Sequence, residues 1–131
     1  MNDLILWIKI IFTALITIIT NLFGGFDLIF KTLIICMALD YLTGILCAIY
    51  QKKLSSKTGF KGIIKKAAIL VVVSLASVVG TFSGLHEIRS LVISFYIANE
   101  GISILENAAK TDIPIMGKLK NILSQLENKN Q

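Results

Sequence analysis

The chain has 131 residues, of which 55% are apolar and only 16% are charged, well below the roughly 25% charge of a soluble domain. Its charges cluster and leave apolar tracts of membrane-crossing length, which excludes a monomeric water-borne domain. The net charge of +5 lies mostly beside those tracts, so anionic lipid is the nearer partner and nucleic acid is not expected.

Four hydrophobic segments follow one another, each close to the roughly 20 residues that cross about 30 Å of hydrocarbon as a helix. The first covers residues 4–23, with Trp7 placed for an interfacial belt. Lys9, Thr13, Thr17 and Asn21 form one stripe along it, read as a helix-packing face, and Gly24-Gly25 end it. Met1-Asn2-Asp3 lacks the basic start of a secretory signal, so this segment is expected to persist in the mature protein. The second covers 28–50 and contains Lys31, Asp40 and both cysteines, Cys36 and Cys47.

Residues 51–66 carry Lys52, Lys53, Lys57, Lys61, Lys65 and Lys66 without an acid, and are read as a cytoplasmic loop that sets topology and meets the inner leaflet. Both termini then fall on the cytoplasmic side. The third segment, 67–85, is uncharged and valine-rich; in lipid only a helix satisfies its backbone internally. Ala76, Gly80 and Gly84 recur at four-residue spacing there, and Gly44 with Ala48 repeats the spacing in the second segment, the pattern of close helix contacts. The fourth, 88–109, gathers Arg89, Tyr96, Asn99, Glu100, Ser103, Glu106, Asn107 and Lys110 in one arc. Such a face must meet water or protein, so this helix either spans or lies flat in the interface. Residues 111–131 form a cytoplasmic tail: Thr111-Asp112-Ile113-Pro114 signals a helix start, followed by Ile115, Leu119, Ile122 and Leu126 on one face.

The expected fold is therefore all-α: an integral membrane bundle over 1–110 with four hydrophobic helices, or three if the fourth is interfacial, plus a C-terminal amphipathic helix. Asp40 is the sharpest chemical feature. A bare carboxylate at mid-membrane costs about 2.5–3.5 kcal/mol on insertion scales and needs a proton, a cation or water. Lys31 is too far along the same helix, and Lys9 and Arg89 lie near span ends, so its partner is left open. Asp40, Asn99, Glu100, Ser103, Glu106 and Asn107 are the candidates for pore lining or assembly. No nucleophile has a histidine and acid to match, and with His86 alone there is neither a metal pattern nor a cofactor motif.

Asp40-Tyr41-Leu42-Thr43-Gly44, then Lys53-Leu54-Ser55-Ser56 with Gly59 and Gly62-Ile63-Ile64-Lys65-Lys66, resemble the phage and toxin-secretion holins of Gram-positive bacteria. Phe95-Tyr96-Ile97-Ala98-Asn99-Glu100, Ser103-Ile104-Leu105-Glu106-Asn107 and Ile113-Pro114 are similar to the same family. The resemblance covers roughly residues 31–120. It implies a protein of the cytoplasmic membrane that associates with itself into lesions and releases an endolysin or a large toxin. The residues alone also admit a small proton-coupled exporter, or a non-conducting membrane anchor.

Overall fold

The structure, a computed structural model, describes residues 1–111 and 116–129. It holds five helices and, among the described residues, no strand: α1 (Asn2–Leu22), α2 (Leu28–Tyr50), α3 (Ser56–Ser83), α4 (Glu87–Ala109) and α5 (Met116–Lys129). α1 to α4 are each long and apolar enough to cross a membrane. At about 1.5 Å per residue, 21 residues already match the ~30 Å of hydrocarbon.

α2, α3 and α4 form the bundle, with α4 packed lengthwise on α2 and also against α3. The fourth segment is thus a full bundle member rather than a helix laid apart on a surface. Its amphipathicity is inverted relative to a soluble helix: Leu91, Phe95 and Ile102 face outward while Ile93 and Glu100 are buried. Large apolar side chains cover the outside of α2 and α3 too, among them Ile35, Leu42, Val71 and Leu75. That is the surface a bilayer solvates.

The buried contacts follow a three-then-four spacing on every bundle helix. α2 contributes Phe30, Leu33, Met37, Asp40 and Cys47; α3 contributes Ile69, Val73, Ala76 and Gly80, with Ser77 buried beside Ala76; α4 contributes Ile93 and Glu100. This is the 3.5-residue seam of long packed helices. Phe30, Leu33, Met37, Ile69, Val73 and Ile93 close into one apolar core, capped at its end by Phe23 stacked on Phe30 at 5.0 Å between centroids.

α3 begins at Ser56, eleven residues before the apolar run that the sequence marks, so the expected loop 51–66 shrinks to residues 51–55. The reason is local. Ser55 is an N-cap whose Oγ accepts from the Thr58 amide at 3.2 Å, and lysines propagate a helix well. Lys57, Lys61, Lys65 and Lys66 are therefore helical. Gly59 and Gly62, costly in an exposed helix, leave room for Tyr41, which lies 3.3 Å from where either Cβ would stand.

The opposite end of the bundle is fixed by Arg89. Its Nε donates to the Phe23 carbonyl at 2.6 Å and Nη2 to the Gly25 carbonyl at 3.0 Å. Nη1 and Nη2 form a fork on Asp27, at 2.8 and 3.0 Å. Asp27 also caps α2 by accepting from the Phe30 amide at 3.2 Å. Gly24 and Gly25 take φ of +76° and +107°, and a Cβ on Gly24 would collide with the Arg89 side chain and Ser77 Oγ at 2.5–2.8 Å. Here glycine is required on both counts.

The small-residue and polar stripes of the sequence take these positions. Gly80 and Gly84 lie at the α3–α4 corner: Gly84 ends α3 at φ +74°, and a Cβ on Gly80 would meet the Leu85 carbonyl at 3.0 Å. Ala76 is buried in the seam, and Gly44 faces Asn107. The stripe Lys9, Thr13, Thr17 and Asn21 is exposed; α1 has no buried residue and, among the described residues, packs against α3 alone. The expected start of the tail helix at Asp112–Pro114 lies outside the described residues. α5 itself leaves Ile122 and Leu126 exposed.

Candidate functional site

Asp40 lies on the α2 seam, one step beyond Met37, with the residue 9% exposed. Its partner is Lys66, on the part of α3 that the sequence reads as loop. Lys66 Nζ stands 2.6 Å from Asp40 Oδ2 and 2.6 Å from Glu100 Oε2. One ammonium thus joins two carboxylates from two other helices. Asn107, two turns beyond Glu100, donates from Nδ2 to Asp40 Oδ1 at 3.2 Å and lies 3.2 Å from Thr43 Oγ1. Ser103 borders the same space, in a cavity that runs to the Lys-rich ends of the helices.

The electrostatics are severe. Each ion held away from water costs several kcal/mol before its partners are counted, and only close, hydrogen-bonded pairing recovers it. Two acids against one ammonium leave one negative charge in excess when all three are ionised. Glu100 is fully buried, and its Oε1 has no hydrogen-bond partner.

Of the six pore or assembly candidates, the fold brings Asp40, Glu100, Ser103 and Asn107 together. Asn99 is half-buried and Glu106 is exposed; neither joins the cluster. The residue that sequence reasoning missed is Lys66, grouped there with the topology-setting lysines. Spacing was the available signal: Gly62, Lys66, Ile69, Val73 and Ala76 continue one three-four repeat across the boundary between the basic and apolar stretches. Lys52, Lys53, Lys57, Lys61 and Lys65 remain exposed, as a lipid-facing or water-facing group would be.

The profile of the bacteriophage holin family matches residues 17–128. The chain belongs to that family. It is accordingly a multi-pass, non-enzymatic membrane protein. The match begins inside α1 and takes in the whole α2–α4 bundle with its ionic cluster. An uncharacterized 14.9 kDa protein in the nagH 3′ region of Clostridium perfringens is 44% identical over 131 residues, covering 98% of this chain and 99% of that one. Uncharacterized proteins of Listeria monocytogenes and Bacillus subtilis are 46% identical over 103 residues and 34% over 111. They cover 78% and 84% of this chain, and 74% and 79% of their own lengths. No solved structure matches the chain.

Proposed function

We propose that this holin-family chain acts as a lesion-former: copies associate in the cytoplasmic membrane and open a passage for an endolysin or a large toxin. The observation that carries this reading is the Asp40–Lys66–Glu100 cluster, buried inside a bundle whose outer surface is apolar. Together with Ser103 and Asn107 it forms a ready polar lining for a water-filled space. Moving α4 away from α2 in dry lipid would strand three charges; moving it with water entering would solvate them. Helix separation and water entry are thereby coupled, which gives opening an all-or-none character.

The Lys-rich ends are placed in the cytoplasm by the positive-inside rule, with both termini on that side. The membrane potential then acts on the charged groups of α3 and α4 with about 2.3 kcal/mol per charge moved across 100 mV. Its loss is the expected trigger. Asn99 and Glu106, outside the cluster in the closed bundle, are assigned to contacts between copies.

The test is induced expression in a bacterium that also makes an endolysin without its own export signal, with an energy poison added to half the culture. Abrupt lysis that needs both proteins and comes early with the poison supports the reading. Steady growth despite confirmed insertion sinks it. A buried carboxylate pair also suits a proton-coupled exporter, but an exporter leaves the membrane sealed to folded protein, so the same cultures separate the two.

A further inference from the structure

A cavity of about 440 Å³ lies between the ends of α2, α3 and α4 that carry the lysines. That volume falls within the roughly 300–1,000 Å³ of ordinary small-molecule sites. Its inner limit is the Asp40–Lys66 pair, and its outer limit is Gln51 after α2 and Lys110 after α4. Asp40 and Tyr50 are ten residues apart on one helix, about 15 Å or half the hydrocarbon thickness. The space therefore runs from the membrane interface to near mid-depth.

Its lining has two parts. Lys53, Lys65 and Lys110 supply three cations, whereas among the described residues the only acid that lines it is Asp40, already held by Lys66. Among the described residues none of these three lysines is in an ion pair. Beside them Ile45, Ala48 and Leu54 give an apolar wall. Excess positive charge at interface depth beside an apolar wall matches an amphiphile with an anionic head, and a soluble anion would make no use of the wall. Basic pockets between membrane helices take lipid headgroups for this reason.

We propose that this cavity binds one anionic phospholipid, its phosphate among Lys53, Lys65 and Lys110 and the start of an acyl chain along Ile45 and Ala48. The bound lipid joins the α2–α3 connection to the end of α4. This binding does not depend on lesion formation.

The test uses the purified full chain in a zwitterionic detergent, with bound lipid counted by native mass spectrometry and affinity read by titration. Phosphatidylglycerol, phosphatidylcholine and inorganic phosphate are compared. Two variants carry the same charge change: Lys53→Gln/Lys65→Gln/Lys110→Gln inside the cavity, and Lys52→Gln/Lys57→Gln/Lys61→Gln outside it. Phosphatidylglycerol is expected to bind in preference to the other two probes, and the cavity variant to weaken it by about 10- to 100-fold. The outer variant is expected to retain it. Equal loss in both variants would reveal diffuse attraction and overturn the proposal. Equal binding of phosphatidylcholine, or of inorganic phosphate alone, would overturn it without any variant. The Lys→Arg triple at the cavity positions must keep binding, which separates a lost site from a lost fold.

Discussion

The two halves of the α2–α4 bundle share one packing pattern and fill it with opposite chemistry. Toward Arg89 the seam is Phe30, Leu33, Met37, Ile69, Val73 and Ile93; toward the lysines it is Asp40, Lys66, Glu100, Ser103 and Asn107. In lipid an apolar side chain gains little by leaving the bilayer for the interior, so the first half is held by shape alone. A carboxylate at membrane depth has no such freedom. The difference teaches which half specifies the arrangement: many helix rotations could pack Leu33, but few could bring Lys66 within reach of both acids.

The largest expected effect breaks the polar half. Lys66→Met leaves two buried carboxylates without their cation and should cost about 3–5 kcal/mol in denaturant unfolding in detergent. Adding Asp40→Asn and Glu100→Gln should recover much of it, because neutral amides need no counter-charge. Unchanged stability in the single variant would show that the cluster does not hold the bundle.

Next comes the apolar half. Leu33→Ala should cost about 2 kcal/mol, the low end for a buried leucine, since its unfolded reference lies in detergent or lipid rather than water. Leu42→Ala, on the exposed side of the same helix, should be close to neutral in the same unfolding assay. Equal effects would mean that the seam is not a packing interface.

The turn that closes the apolar half gives a smaller test. Gly24→Ala forces a side chain into left-handed backbone, at about 1–2 kcal/mol, and into the space of Arg89. Gly25→Ala meets only the backbone penalty, as nothing lies within 4 Å of its Cβ position. Thermal unfolding should rank Gly24→Ala below Gly25→Ala.

The smallest effect is in pH. Hydrogen bonds from the Arg89 guanidinium hold the Asp27 carboxyl below its usual 3.8. A carboxyl lowered on folding stabilises the folded state above its unfolded value, and that contribution is lost as pH falls through the lowered one. The Asp27 contribution should therefore be constant from neutrality to about pH 4 and decline below it. Because the Asp27 side chain is half exposed, the decline is slight. In Asp27→Asn this acid limb should flatten, as read by melting temperature against pH.

Membrane residence, the four apolar helices and the presence of the acids Asp40 and Glu100 within them were legible in the order of residues. The loss of backbone hydrogen bonds in lipid leaves a long apolar run only one local structure, and a charge within it is conspicuous without any fold. The partner of those acids was not legible. Lys66 sits among six lysines of similar setting, and composition cannot tell an ammonium turned inward from one in water. Nor could spacing show that Gly80 and Gly84 serve a corner while Gly59 and Gly62 admit Tyr41. What decided these was where α3 begins and which way each helix is rotated. Those depend on contacts between residues as distant as Asp40, Lys66 and Glu100, and only the packed helices bring them together.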